Sequence, residues 1–276
     1  MGLVRPISGA VKLGTNAFKQ AIREGKPQIG LWSSLCSNIA AEVLAHSGFD
    51  WILVDTEHAP NELPGVLSQL QAMACGPVTP IVRPAWNDLV LIKRFLDIGA
   101  HNLLIPYVQT EEEARAAVAA TRYPPAGIRG VAVVHRSNQY GRVSDYYSRI
   151  DQEICVIVQI ETRQALKNLD AIAAVDGVDG LFIGPSDLSA ALGHLGQSSH
   201  PEVRVAIEDA FKRIRKAGKS PGILAHAEAD AQHWLTQGCT VLGVGSDVGL
   251  LARQSEQLAG RFKSLVQTAA GTATNQ

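Results

Sequence analysis

Two short stretches hold the side chains best suited to chemistry, Gln159-Ile160-Glu161-Thr162 and Gly184-Pro185-Ser186-Asp187. Each follows a nearly continuous apolar, β-branched run, residues 154–158 and 180–183. Runs without polar alternation are the pattern of strands buried on both faces. Each such strand delivers one carboxylate, Glu161 or Asp187, as it leaves the core. If the strands are parallel neighbours, both carboxylates emerge at the same end of the sheet. Two hard oxygen donors with room for water and substrate suit Mg²⁺ or Mn²⁺ better than a soft metal. The local alternative is capping: Glu161 for the helix starting near Arg163, Asp187 for the next turn. Either residue alone fits a cap; the pair at successive strand ends favours the metal.

The elements needed to position these groups recur along the chain. Eight apolar runs occupy residues 29–32, 51–55, 80–83, 102–106, 154–161, 180–185, 221–225 and 241–247. Helical patterns fall between most of them, at 40–45, 63–74, 90–97, 111–121, 163–173, 201–216 and 229–237. A short polar helix at 16–24 precedes them and a last helix at 250–266 follows. Eight strands alternating with helices predict an α/β (β/α)₈ TIM barrel, a fold of about 250 residues. A doubly wound sheet would have fewer strands and a dinucleotide fingerprint after the first. The expected organisation is a loose arm at 1–14, one barrel domain at 15–267 and a disordered polar tail at 268–276. Residues 123–151, with Pro124-Pro125, Gly127 and Gly130, break the rhythm and are expected at the active-site rim.

Barrel enzymes gather their catalytic groups at the C-terminal ends of the strands. There His58 follows a strand ending in Asp55, and Arg83 follows Ile81-Val82. His58 is either a plain surface residue or an imidazole that accepts a proton directly or through water. Arg83 is either half of a salt bridge within the barrel or a fixed cation facing a developing oxyanion. No lysine falls at such a strand end; Lys219 precedes the seventh run, on the opposite face. A Schiff-base mechanism, which needs a lysine there, is disfavoured.

Bulk properties narrow the partners. Lys and Arg number 25 against 26 Asp and Glu, a net charge of -1 with no basic block, which argues against nucleic acid. Cys36, Cys75, Cys155 and Cys239 are widely spaced without C-x-x-C, the pattern of buried free thiols in a reducing cytoplasm. No signal peptide or membrane span is read from the sequence.

Five stretches, in order, resemble the HpcH/HpaI aldolases, metal-dependent pyruvate aldolases. They are Asp55-Thr56-Glu57-His58-Ala59-Pro60, Val82-Arg83-Pro84, the run from Arg122 to Gly130, Gln159-Ile160-Glu161-Thr162, and the run from Phe182 to Ser189. The resemblance extends from about Gly30 to Phe262. It implies a barrel whose last helix is exchanged between subunits of a homohexamer, a trimer of dimers. It implies Glu161 and Asp187 as ligands of a divalent cation (Mg²⁺, Mn²⁺ or Co²⁺), with no organic cofactor. Gln159, Ser186 and Asp187 would contact a bound 2-oxo acid. His58 would accept the proton and Arg83 would stabilise the transition state. Asp97 matches a family carboxylate that raises the basicity of the histidine, a role Asp55 could also fill.

The implied reaction is reversible aldol cleavage of a 4-hydroxy-2-oxo acid, such as 4-hydroxy-2-oxoheptanedioate, to pyruvate and an aldehyde. Ser186 stands where relatives often have Ala, and His226 stands where relatives vary, so the aldehyde is left open. Alternatives are a 2-keto-3-deoxy-sugar-acid aldolase of the same family and a citryl- or malyl-thioester lyase. A barrel that binds metal or ligand without catalysis is a third, and the retained His58 and Arg83 speak against it. Asp97 closes the helix between the third and fourth strands, so it should lie on the face opposite its own His58. Its family role then requires a neighbouring subunit.

Overall fold

The computed structural model describes residues 11–273, with side chains through residue 267. Eight parallel strands close a barrel in sequence order: β1 (Gln28–Ser33), β2 (Trp51–Asp55), β3 (Thr79–Arg83), β4 (Asn102–Ile105), β5 (Cys155–Ile160), β6 (Gly180–Ile183), β7 (Ser220–Leu224) and β8 (Val241–Ser246). Each expected strand is present, its ends within two residues of the apolar run.

The helices of the first half are α1 (Ala17–Arg23), α2 (Asn38–Ala45), α3 (Leu63–Met73), α4 (Leu89–Asp97), α5 (Glu111–Thr121) and α6 (Tyr146–Glu153). The second half adds α7 (Arg163–Lys167), α8 (Leu169–Ala173), α9 (Pro185–Ala191), α10 (Pro201–Lys216), α11 (Glu228–Thr236) and α12 (Asp247–Ala273). The single helix expected at 163–173 is two, because Asn168 ends α7 and starts α8. Two helices were not anticipated. α9 hides in a Gly-Pro-Ser-Asp stretch that reads as a turn, with Pro185 at its first position. α6 begins inside the 123–151 segment, where the sequence shows only a break in the rhythm, and ends two residues past it.

That segment, 123–151, is not at the expected rim. It follows α5, which runs antiparallel to the strands, so it leaves at their N-terminal ends. There Arg136 Nη1 donates to the Ile98 carbonyl at 2.7 Å, just past the end of α4. Val143 bridges Val11, and Asp145 Oδ1 accepts from the Leu13 N–H at 2.8 Å. Residues 11–14 are therefore tied down, while the rest of the expected arm lies outside the described residues. α12 continues to Ala273, past residue 267 where the sequence reading ended the domain. Beyond Gly249 each described side chain of α12 is exposed, including Leu250, Leu251, Leu258, Phe262 and Leu265. Among the described residues no helix is long and apolar enough to cross a membrane. Cys155 and Cys239 are buried as expected; Cys75 is exposed.

Side chains alternate between the barrel interior and the helix layer, as the two-residue period of a strand requires. Trp32, Trp51, Leu53, Ile81, Leu104, Ile157 and Phe182 fill the interior, and Phe18 and Ile22 of α1 close its floor. Large aromatics fit because glycines face them. Gly30 is the direct register partner of Trp51, whose indole crosses it to donate from Nε1 to the Gln28 carbonyl at 3.0 Å. A Cβ at Gly30 would fall within that indole. Gly30→Ala should lower the unfolding free energy by about 1–3 kcal/mol, the usual cost of overpacking. Urea denaturation measures this, and Trp51→Leu in the same chain should recover part of the loss, showing that the two sites are coupled.

Candidate active site

Alternation also sets the top layer of the barrel. Asp55 lies two residues beyond Leu53, Arg83 two beyond Ile81, and Gln159 two beyond Ile157, each following an interior side chain. Asp55 and Arg83 are register partners across β2 and β3. Gln159 pairs with Phe182, which brings Glu161 level with Gly184.

Arg83 is buried and tied on one edge. Its Nε and Nη2 donate to Asp55 Oδ1 and Oδ2 at 2.9 and 2.7 Å, a fork-on-fork pair. Its other nitrogen, Nη1, is 3.5 Å from Gln159 Oε1. Nη1 is also 2.8 Å from Glu57 Oε2, but off the hydrogen-bonding direction, so that contact is coulombic. The salt bridge within the barrel is present, and Arg83 also lines the main cavity.

Asp55 Oδ1 further accepts the backbone N–H groups of Glu57 and His58 at 3.0 and 3.4 Å. This turn lifts His58 onto the rim, with its side chain 67% exposed and Nε2 3.8 Å from Glu57 Oε2. Glu57 had no role in the sequence reading. Its signal was its place inside the Asp-Thr-Glu-His run, between two candidate residues. Burial pushes its carboxyl above the ordinary range, against the opposing pull of Arg83 and His58.

Glu161 is buried, and its two oxygens face the mouth of the barrel rather than a helix. Oε1 accepts the Tyr107 N–H at 2.9 Å and Oε2 accepts Gln159 Nε2 at 2.6 Å. Tyr107 turns its N–H there from a left-handed conformation, φ 57°, that a bulky side chain rarely adopts. No side-chain pattern announces such a backbone contact. The capping alternative fails for both carboxylates. Thr162 caps α7, its hydroxyl accepting from the Ala165 N–H at 3.0 Å. Asp187 sits exposed in the first turn of α9, makes no cap, and its side chain has no hydrogen bond or ion pair among the described residues. Gly184 is required between them, because a Cβ there would collide with Glu161 Oε2.

Burial pushes the Glu161 carboxyl up to about 7; Glu57 and Asp187 raise it further, while the Tyr107 N–H and Arg83 oppose. An all-oxygen pair, one member buried and protonatable and the other free, fits a hard divalent cation that would relieve this negative crowding.

His58, Arg83, Gln159, Gly184, Ser186 and Asp187 line one cavity of about 420 Å³. The cavity continues past Leu224 and His226 to Ser198, Ser199, Arg204, Asp230 and Trp234, a far wall that sequence reading did not assemble. No lysine lines it. Asp97 is not part of this group. It ends α4, where its Oδ1 accepts from Arg129 Nη2 at 2.8 Å. Arg129 is buried over the Tyr123 ring at 4.6 Å, in the 123–151 segment at the other end of the barrel.

Paired carboxylates, a fixed guanidinium and a rim histidine thus gather at the C-terminal mouth of a closed parallel barrel, where enzymes of this fold carry their active sites. Residues 28–254 match the family model described as HpcH/HpaI aldolase/citrate lyase, and the chain belongs to that family. It is 59% identical over 248 residues to a 4-hydroxy-2-oxo-heptane-1,7-dioate aldolase of Klebsiella pneumoniae, covering 90% of this chain and 94% of the relative. It is 56% identical over 252 residues to a pyruvate aldolase of Rhizobium etli, covering 91% and 99%. Among solved structures, an HpcH/HpaI aldolase/citrate lyase family protein from Burkholderia cenocepacia superposes with a TM-score of 0.88 at 41% identity, covering 90% of this chain and 100% of that one.

Below about pH 7 Glu161 carries a proton, which a cation bound by this carboxylate would have to displace. The affinity of metal-free protein for Mn²⁺ should therefore fall about tenfold per pH unit below 7 and level off above it. Calorimetric titration from about pH 5.5 to 8.5 measures this, with about one proton released per ion at the acid end. Glu161→Gln should weaken binding and flatten the profile.

Proposed function

We propose that the chain cleaves a 4-hydroxy-2-oxo acid reversibly to pyruvate and an aldehyde, with Glu161 and Asp187 holding Mg²⁺, Mn²⁺ or Co²⁺. The observation that carries this reading is that His58, Arg83 and Asp187 line one cavity, with the buried Glu161 directly behind Gly184 of its wall and within electrostatic reach of Asp187. His58, directly or through a water, takes the proton of the 4-hydroxyl. The C3–C4 bond breaks, the aldehyde leaves, and the electrons of that bond pass into the pyruvate enolate, whose C3 then takes up a proton to give pyruvate. When bound, the cation supplies positive charge for the enolate oxygen. Arg83 shares that charge through Nη1, the nitrogen Asp55 leaves free. Gln159, Ser186 and Asp187 orient the 2-oxo acid. The positioned proton transfer contributes about 10²–10⁴-fold to the rate.

A coenzyme thioester finds less support, because the cations lining the cavity, Arg83 and Arg204, both carry carboxylate partners. The exposed apolar side chains of α12 support a homohexamer in which this helix packs on a neighbouring subunit. The place of Asp97 supports a shared site, in which one copy presents its Asp97 to the His58 of the next. We assign the enzyme to the cytoplasm, where its free thiols would remain reduced.

Two experiments test this function. Pyruvate release from 4-hydroxy-2-oxo acids should stop on chelation and return with Mg²⁺, Mn²⁺ or Co²⁺, and borohydride with pyruvate should leave the enzyme active. Full turnover by stripped protein would remove the metal from the reaction. The shared site predicts that Asp97→Asn and His58→Ala subunits, each weak alone, regain activity when dissociated and reassembled together, because some sites then carry neither change. A mixture no more active than its components would confine each site to one chain.

A further inference from the structure

The segment joining α9 to α10 brings together three side chains able to ligate a metal, His194, His200 and Glu202. Its path is two successive tight turns. The His194 carbonyl accepts the Gln197 N–H, and the Gln197 carbonyl accepts the His200 N–H, both at 2.9 Å. Gly193 and Gly196 supply the left-handed residues along this path, with φ 91° and 76°. Pro201 then opens α10 and sets Glu202 in its first turn. The two imidazoles finish face to face, their centroids 3.5 Å apart and their planes 16° from parallel. His194 Nε2 is 2.9 Å from Glu202 Oε2, and the Glu202 N–H donates to His200 Nδ1 at 3.3 Å.

An ion pair accounts for His194 with Glu202, and a helix cap accounts for His200. Neither accounts for the convergence of all three. One ligand atom of each residue lies within 4.8 Å of the other two. A cation with bonds of about 2.0–2.2 Å holds its ligand atoms about 3–3.5 Å apart. Movements of about 1–1.5 Å would therefore close the three donors on one ion. The side chains are free to make them, since both histidines are half-buried and Glu202 is exposed. Two imidazole nitrogens and one carboxylate oxygen suit Zn²⁺ rather than Mg²⁺, which keeps to oxygen and water. The set thus differs in kind from the all-oxygen pair of Glu161 and Asp187. None of the three residues lines the catalytic cavity, but Ser198 and Ser199, which lie between them in the chain, do.

We propose that His194, His200 and Glu202 form a second metal site, for Zn²⁺ or a cation of similar softness, and that the bound ion clamps the loop before α10. The contact between His194 and Glu202 needs a proton on Nε2; the ion takes its place, and that proton is released. Three protein ligands leave a fourth position for water. Because Ser198 and Ser199 sit between the ligands, the clamp also fixes one wall of the cavity without touching the reacting atoms. The site stands independently of the aldolase reading.

The test titrates Zn²⁺ calorimetrically into the full chain in excess Mg²⁺. Any Zn²⁺ that replaces Mg²⁺ at the oxygen pair does so equally in variants of the loop, so the difference between chains counts the second site. Wild type should bind one more equivalent than His194→Gln or His200→Gln, or bind it about tenfold or more tightly. Backbone hydrogen exchange across residues 194–200 should slow on adding Zn²⁺ to wild type and stay unchanged in either variant. In Mg²⁺ alone the variants should melt where wild type does, showing that the loop changes leave the barrel folded. Glu202→Gln, which keeps both imidazoles, should bind the extra equivalent more weakly than wild type. Equal Zn²⁺ binding by wild type and both histidine variants would overturn the site. Binding that is lost in the variants but never slows exchange across 194–200 in wild type would overturn the clamp.

Discussion

The buried fork between Arg83 and Asp55 holds the mouth of this barrel in register. Asp55 and Arg83 are direct strand neighbours, and their side chains meet because both point inward at the same level. Removing one partner of such a pair costs about 3–5 kcal/mol, since the other is left as an uncompensated buried charge. Much of the site hangs from it. Asp55 also orders the turn that carries Glu57 and His58. Arg83 reaches Gln159, which donates to Glu161, which in turn accepts the Tyr107 N–H. One line of polar contacts thus crosses the mouth from β2 to the loop after β4.

That line leaves negative charge in excess. Asp55, Glu57, Glu161 and Asp187 share the neighbourhood of a single guanidinium, and Asp55 occupies two of its donors, one on Nε and one on Nη2. Burial pushes Glu57 and Glu161 upward, and the neighbouring carboxylates add to that push. Such crowding of carboxylates lowers stability and favours a cation, the usual opposition between stability and function where charges are gathered. Gly184 and the left-handed Tyr107 belong to the same arrangement, each accepting a local restriction so that Glu161 can sit where it does.

The opposite end of the barrel is organised around a different cation. Arg129 is buried among Tyr123, Tyr146 and Asp97, and it braces the 123–151 segment against the end of α4. Asp97 is held there in a defined pose, one-quarter exposed. α12 leaves the barrel with its apolar side chains uncovered. In the proposed assembly these are the side chains that a neighbouring copy would cover.

The sequence by itself determined the barrel, because eight doubly buried strands must each be written as an uninterrupted apolar run, and each run ended within two residues of its strand. It also determined which side chains reach the mouth, since the two-residue period leaves Asp55, Arg83, Gln159 and Glu161 no other face. It did not show α9, whose Gly-Pro-Ser-Asp start is equally good turn chemistry, nor that 123–151 lies under the barrel, which follows from the direction of α5. Only the tertiary structure decided that Thr162 and not Glu161 caps α7, that Glu57 stands beside Arg83, and that the Tyr107 N–H meets Glu161. The far wall of Ser198, Arg204 and Asp230 likewise exists only after folding. Those contacts join residues on different strands and loops, and whether two such groups touch depends on backbone path and crowding that no local pattern of residue types encodes.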